Sequence, residues 1–516
     1  MLLLMLLAVA VRSPGIGRPL VGNFATKNVV YAMIARNWAS GQAGVWTPTL
    51  DVLRGGRPAL HLVEVPVSAY ASGLLWRCFG GSLDFWGRAT SVAMIALSVG
   101  LIYRLASVWH SRRVATAASV ALALSPVSII YGQSFMLEPS VVCLSLGAML
   151  AVVRWKQSDR TVPLLVTVGL MSILFLTKIY MLVLIAPLAA LAATRSPDES
   201  LSGCRKPNEP ARIIDPQAKR TARLVVFVTV AALAALPALL WCFFVMRDSA
   251  PGSATAASIF YSLRGSVGAN ELPHPLLASR GFYSAVARDL ATVTLTPLGA
   301  VLALVGLAHS AWRRHFVWLA VSAMLIVLLP RKFHEMNYYF LVILPPLALL
   351  VGLGWEVVCR RLALRRLGTA AVVSLAMAIS LRYAWHPVLR TLPQDRSVVA
   401  AAAELRRRAG AGEPVVTMHG STLDLLYYCD RRGWALAPEQ SDLLGKLTRC
   451  RRQGARWLVV AGLARSDGSP TCRAALTSFS TAVEGDDFRI YDMSPAPSRR
   501  RVSKVATPSS ENSSPR

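Results

Sequence analysis

Apolar residues dominate long stretches of the chain, and short basic connections interrupt them at intervals close to the length of a membrane-spanning helix. A span needs about 20 predominantly apolar residues, with a range of roughly 17–25. Eleven segments fit or approach that length, at roughly 1–12, 89–108, 114–131, 139–153, 161–177, 180–194, 223–246, 291–309, 316–330, 338–355 and 368–385. The first is short for a span, and those at 139–153, 180–194 and 316–330 are also brief. Basic residues mark every second connection: Arg112–Arg113, Arg154 with Lys156 and Arg160, the stretch 195–223, Arg313–Arg314, and Arg360, Arg361, Arg365 and Arg366. The positive-inside rule places these in the cytoplasm. The remaining connections, 13–88, 132–138, 178–179, 247–290, 331–337 and everything after 386, then face the other side. An odd number of spans with the N-terminus inside agrees with a C-terminus outside.

Three of the outer segments are long. Residues 13–88 contain an interfacial helix in VPVSAYASGLLWRCFG, with aromatic residues suited to the headgroup region. Residues 247–290 are rich in Gly, Ser, Ala and Pro and read as a loop. Beyond 395 the pattern changes. DRSVVAAAAELRRRAG and SDLLGKLTRCRRQGA are helix-like, while PVVTMHG, RWLVVAG and FRIYDM are strand-like. This alternation predicts a small α/β domain over 395–492 with a parallel sheet. A Ser/Pro/Arg-rich tail over 493–516 is expected to be disordered. No Gly-rich phosphate loop opens a helix in this domain, and no repeat of fixed period appears.

Composition narrows the class further. Of 516 residues, 54% are hydrophobic and only 16% are charged, against about 25% charged in soluble proteins. The fold class expected is an α-helical polytopic membrane protein of about eleven transmembrane helices. A helical domain spans 1–386, including the outer loop 13–88, and the α/β domain lies outside a cytoplasmic (inner) cell membrane. The net charge of +28 would suggest nucleic acid in a soluble protein. Here much of it sits in the short loops between spans, and no nucleic-acid partner is expected. Eight cysteines show neither CxxC pairs nor metal-ligand spacing, and no cofactor or metal is indicated.

Ionisable groups at membrane depth are costly, so each is a candidate for function. Glu138 sits in the brief outer turn YGQSFMLEPSVV, where Pro139 and an acid also suit a plain helix N-terminus. Glu64 precedes the interfacial helix and is one of the few acids of the first outer loop, with Asp51 and Asp84. Lys178, in LFLTKIYML, interrupts two apolar runs, where a snorkelling lysine would also be at home. Arg331, Lys332 and His334, followed by Tyr338 and Tyr339, put positive charge on the side where it is unusual. Carboxylates and cations on one face suit transfer from a lipid-linked phosphate donor. An acid would deprotonate an acceptor hydroxyl, and cations would stabilise the departing phosphate.

Four stretches resemble the GT-C glycosyltransferases, in particular the membrane mannosyltransferase and aminoarabinose-transferase group. They are FATKNVVYAMIARNW, VEVPVSAYASGLLWRCFGGSLDFWGRATS, ALSPVSIIYGQSFMLEPSVV and HEMNYYFLVILPPLALL, with YYCDRRGWAL as a weaker likeness in the C-terminal region. The resemblance implies a GT-C-like fold and an enzyme that moves a hexosyl or pentosyl group from a polyprenyl-phosphate carrier to an acceptor hydroxyl at the outer face. Inversion at the anomeric carbon is the usual outcome, and the acceptor is a lipid, glycan or protein. Such enzymes use an acid in the first outer loop as base and a second in the next outer turn. Many members carry an acidic pair where this chain has Lys27–Asn28. The base therefore moves to Glu64, with Glu138 as the second acid. Their roles can be exchanged, or Glu138 alone can be essential. Lys27, Asn28, Lys178, Arg331, Lys332 and His334 become phosphate-side candidates, and Tyr338 and Tyr339 line a carrier groove. A transporter or lipid flippase, and a degenerate non-catalytic member, are the competing readings.

Overall fold

The computed structural model describes residues 1–22, 24–158, 160–194, 216–248, 275–361, scattered positions within 371–390, 395–420, 422–494 and 503–504. The chain divides into two units. One comprises Met1–Ile16, Leu62–Ser68 and Gly87–Arg390; the other comprises Gly17–His61, Ala69–Trp86 and Thr391–Arg516.

The first unit is helical. Among the described residues five helices are long and apolar enough to cross a membrane: Leu83–Trp109, Glu138–Ser158, Arg220–Val245, Ser310–Leu328 and Asn337–Arg361. The number rises to seven if each of two sharply bent helix pairs counts as one span. Thr161–Thr177 and Ile179–Ala193 are shorter apolar helices, and the N-terminal helix Leu2–Ala10 has nine residues. Eleven full-length spans are not all seen among the described residues, where several apolar runs fold as bent or shorter helices. Most of 368–385, and 249–274 of the expected outer loop, lie outside the described residues.

Each bend has a local cause. Arg112–Leu124 stops at Ser125, because the ring of Pro126 disfavours helical backbone in the residue before it. Ser125 adopts φ −55°, ψ 130°, and the helix resumes at Pro126 after a 56° turn. The second pair turns through 107° at Thr296, whose φ of +64° lies in the left-handed region that β-branched residues avoid. The Ser125 hydroxyl donates to the Thr294 carbonyl at 2.5 Å, tying the two bends together. A broken helix frees carbonyls that lipid cannot satisfy. The buried guanidinium of Arg12 reaches them, donating to the carbonyls of Ala123 at 3.0 Å and Ser128 at 3.1 Å and to the Ser128 hydroxyl at 2.7 Å.

The second unit is built on one eight-stranded sheet. The strands are β1 (Thr49–Arg54), β2 (Arg57–Leu60), β3 (Val415–Met418), β4 (Gly433–Ala435), β5 (Trp457–Ala461), β6 (Ser480–Glu484), β7 (Phe488–Asp492) and β8 (Ser503–Lys504). Their order is β2-β1-β4-β3-β5-β7-β6-β8. The helices Arg396–Arg408 and Leu443–Arg452 and the strands β3, β5 and β7 fall where the sequence pattern puts them. Two expectations are corrected. The sheet is mixed: β1, β4, β3 and β5 run parallel, but β7 is antiparallel to β5 and β6, because β6 and β7 form a hairpin. The unit is also not confined to 395–492. The hairpin β1–β2 from the segment 13–88 extends the sheet edge, so 17–61 and 69–86 group with it rather than with a 1–386 domain. Ser503 and Lys504, within the expected disordered tail, pair with β6.

Local polar networks explain several motifs in this unit. In the Ala-Arg-Asn end of helix Ala25–Ala39, Arg36 pairs with Asp51 at 2.5 Å and with Asp430 at 2.6 Å, and Asn37 donates to Asp51 at 3.1 Å and to the Thr49 carbonyl at 3.0 Å. That motif therefore fastens β1. Tyr427 and Tyr428 donate to Asp84 at 2.8 and 2.6 Å.

His419 follows β3 and lies between Asp424, 2.9 Å from Nδ1, and Asp395, 3.0 Å from Nε2. Burial opposes charging of the imidazole, but the hydrogen bonds and charges of the two carboxylates outweigh it and raise the His419 pKa. A raised folded-state value gives stability that is complete below the ordinary value near 6.5 and is lost as pH rises through the raised one. Hydrogen exchange of β3, corrected for the intrinsic rise of exchange with pH, is therefore expected to quicken as pH rises above the ordinary imidazole value, and His419→Gln to remove that extra pH dependence. An equal pH response in both proteins contradicts the assignment.

Candidate active site

Three ionisable side chains from separate parts of the first unit meet in one buried cluster. Lys178 forms an ion pair with Glu64, and its Nζ lies 3.8 Å from Oε1 of Glu138. Glu138 is fully buried, and Glu64 and Lys178 are each 6% exposed. Two carboxylates thus share one ammonium.

Backbone geometry places each member. Helix Thr161–Thr177 ends at Lys178, whose extended backbone (φ −149°, ψ 102°) leads into a 3₁₀ turn over Ile179–Leu184. The turn directs the buried lysine side chain from a helix break. Glu64 arrives because the Val65 N–H donates to the Leu176 carbonyl at 3.0 Å, which ties the segment before the interfacial helix to the end of helix Thr161–Thr177. Glu138 opens helix Glu138–Ser158, with its loop held from the side. Arg88 donates to the Gln133 carbonyl at 2.8 Å, and Phe135 packs so closely on Gly87 that a Cβ there would sit 2.0 Å from its ring. Gly87 and Arg88 therefore fix the loop that carries the acid.

An aromatic wall adjoins the cluster. Tyr338 and Tyr339 stack with ring centroids 4.7 Å apart; Tyr339 meets Tyr180 at 5.9 Å, and Tyr338 meets Tyr131 edge-on at 5.8 Å. Both Tyr180 and Tyr338 interact electrostatically with Glu64, Glu138 and Lys178. The Tyr131 hydroxyl donates to Asn337. Tyr180 is a site neighbour that the sequence reading passed over, although it lies two residues from Lys178 in the same turn. Its hydroxyl is buried and has no hydrogen-bond partner among the described residues.

The other candidates are distributed differently. Arg331 forms an ion pair with Glu335 at 2.9 Å on the exposed face of the short helix Pro330–Glu335, which also carries Lys332 and His334. His334 packs near Phe282, with ring centroids 6.2 Å apart. Lys27 and Asn28 belong to the second unit, in the first turn of helix Ala25–Ala39, where Asn28 donates back to the Phe24 carbonyl at 3.0 Å. Asp51 and Asp84, the other acids of the expected outer loop 13–88, are taken up by Arg36 and by the two tyrosines. Glu64 is thus the acid of that loop in the buried cluster. Among the described residues no three His, Cys, Asp or Glu side chains gather as a metal-binding set.

This architecture, a bundle of apolar helices joined to an α/β unit, is the fold of the GT-C membrane glycosyltransferases. Two views of ArnT from Cupriavidus metallidurans share it: one bound to undecaprenyl phosphate (TM-score 0.59, 13% identity) and one in the apo state (0.59, 14%). Each match covers 95% of this chain and 97% of that one. The oligosaccharyltransferase AglB from Archaeoglobus fulgidus, in complex with an inhibitory peptide and a dolichol-phosphate, shares it with a TM-score of 0.56 at 12% identity, over 93% of this chain and 72% of that one. Residues 63–202 match the sequence model of the dolichyl-phosphate-mannose-protein mannosyltransferase family. That stretch contains Glu64, Glu138 and Lys178. No curated protein matches the chain by sequence.

Proposed function

We propose that this protein is a glycosyltransferase that moves a sugar from a polyprenyl-phosphate carrier to an acceptor hydroxyl at the outer face of the cell membrane. The observation that carries the reading is the buried Glu64–Lys178–Glu138 cluster within a GT-C fold. Support comes also from the carriers named for two relatives of the fold, undecaprenyl phosphate with ArnT and dolichol-phosphate with AglB.

The geometry suits a single displacement. Glu64, paired with Lys178, takes the proton of the acceptor hydroxyl as its oxygen attacks the anomeric carbon. The bond from that carbon to the carrier phosphate breaks, and its electron pair leaves with the phosphate. Attack opposite the leaving group inverts the anomeric centre. Once Glu64 is protonated, Lys178 is less fully neutralised and can answer the charge growing on the phosphate. Glu138 holds Lys178 in place throughout. Lys332 and His334 are the further phosphate-side candidates, and the Tyr338–Tyr339 stack borders the carrier. The Tyr180 hydroxyl is placed to bind a substrate oxygen.

The test is the mass of envelope lipids and glycans after deletion, paired with donor turnover by purified protein in nanodiscs. One sugar is expected to vanish from a glycolipid, glycan or protein, and the purified protein is expected to release polyprenyl phosphate from the matching donor. Folded protein that turns over no such donor, from cells whose glycans are unchanged on deletion, defeats the reading.

A further inference from the structure

A second polar site lies at the far end of the helix that Glu138 opens. Lys156 sits 18 positions further along Glu138–Ser158, about 27 Å away at 1.5 Å per residue. That is close to the hydrocarbon thickness of a bilayer, about 30 Å. Around Lys156 the ends of several helices leave a cavity of about 620 Å³. Its lining includes the cations Lys156, Arg313 and Arg314 and the apolar residues Val153, Leu191 and Trp318. None of its lining residues among those described is acidic.

Neutral groups help to hold two of these cations in place. Lys156 Nζ is buried and donates to the Leu191 carbonyl and the Thr194 hydroxyl, both at 2.7 Å. Arg314 donates to the Trp109 carbonyl at 3.0 Å. His315, also in the lining, shares a 2.7 Å contact between Nε2 atoms with His110, so at least one of the two rings is neutral and accepts. Among the described lining residues the mouth thus carries basic side chains and no acid, together with apolar ones. Helix Phe316–Leu328 begins at the same mouth, and its N-terminus adds to the positive potential.

The geometry points to a binding site for an anionic glycerophospholipid from the leaflet opposite the Glu64–Glu138–Lys178 cluster. The phosphodiester headgroup lies against Arg313, Arg314 and Lys156, and an acyl chain runs along Val153, Leu191 and Trp318. A purely soluble anion would use the cations but not the apolar wall. A zwitterionic lipid would use the wall but would bring its own cation to a basic mouth. Basic pockets between helix ends are a recurring means of holding acidic headgroups. This site is separate from the transfer chemistry, so its failure leaves that reading untouched.

The test uses full-length protein, stripped of lipid in detergent and exposed to photoactivatable phosphatidylglycerol or phosphatidylcholine. Phosphatidylglycerol is expected to crosslink at least fivefold more strongly, within peptides carrying Val153–Gln157 or Arg313–Trp318. Arg313→Gln with Arg314→Gln, two exposed positions, is expected to abolish that preference while the unfolding temperature stays put. Equal labelling by the two lipids, labelling elsewhere, or an unchanged preference in the double variant overturns the proposal. Millimolar inorganic phosphate or glycerol 3-phosphate that displaces the lipid completely also overturns it, since the site would then serve a soluble anion.

Discussion

In the Glu64→Gln variant, glycosyl transfer falls by about 10²–10⁴-fold, the contribution of a well-placed general base. Glutamine keeps the shape of the side chain and can still meet Lys178, so the bundle is expected to fold and the donor to bind within a few-fold of the parent. What the amide cannot do is accept the acceptor's proton. Transfer measured in membranes at saturating donor reads this directly. Full activity in Glu64→Gln removes Glu64 from the mechanism. Glu138→Gln provides the comparison: its charge steadies Lys178 at 3.8 Å, and a smaller loss is expected. A larger loss at Glu138 than at Glu64 would exchange the two roles.

The second large effect is on stability. Lys178→Met leaves Glu64 and Glu138 buried side by side without their cation. Removing one partner from a buried ion pair costs about 3–5 kcal/mol, because the charge left behind stays desolvated. Both carboxylates lose the same counter-ion here, so one is expected to take up a proton and a marked fall in unfolding temperature should follow. Adding Glu64→Gln to Lys178→Met removes one orphaned charge and is expected to recover part of the loss. An unfolding temperature unchanged in Lys178→Met would show that the cluster is solvated rather than buried.

The three members of the cluster were legible in the sequence for one physical reason. Ionisable groups are rare in apolar runs, and Glu64, Glu138 and Lys178 each stand where a run breaks on the same expected side. What the sequence could not show is the backbone contact that joins them, the Val65 N–H to the Leu176 carbonyl, which links positions 111 apart. Nor did residue type separate Glu64 from Asp51 and Asp84. That distinction comes from Arg36, Tyr427 and Tyr428, which engage the two aspartates. Tyr180 was hidden because an aromatic residue near a membrane edge has an ordinary explanation.

The same contrast holds for the fold. Strands β3, β5 and β7 are continuous apolar or alternating runs and could be read. The hairpin β1–β2 carried a signal that was passed over. Gly55 and Gly56 both have positive φ, 57° and 78°, in a two-residue connection where adjacent glycines favour a tight turn. The apolar character of 114–131 and 291–309 was plain, but the bends within them depend on Pro126 and on the left-handed Thr296, which periodicity does not register.

The central claim is that Glu64 and Lys178 act as one unit in transfer. A double-mutant cycle on kcat/KM tests it, using Glu64→Gln, Lys178→Met and the combination, each corrected for the fraction of folded protein. If the lysine and the glutamate work as one unit, the loss in the combined variant is expected to be clearly smaller than the product of the two single losses. Losses that multiply, as for independent residues, would contradict the account.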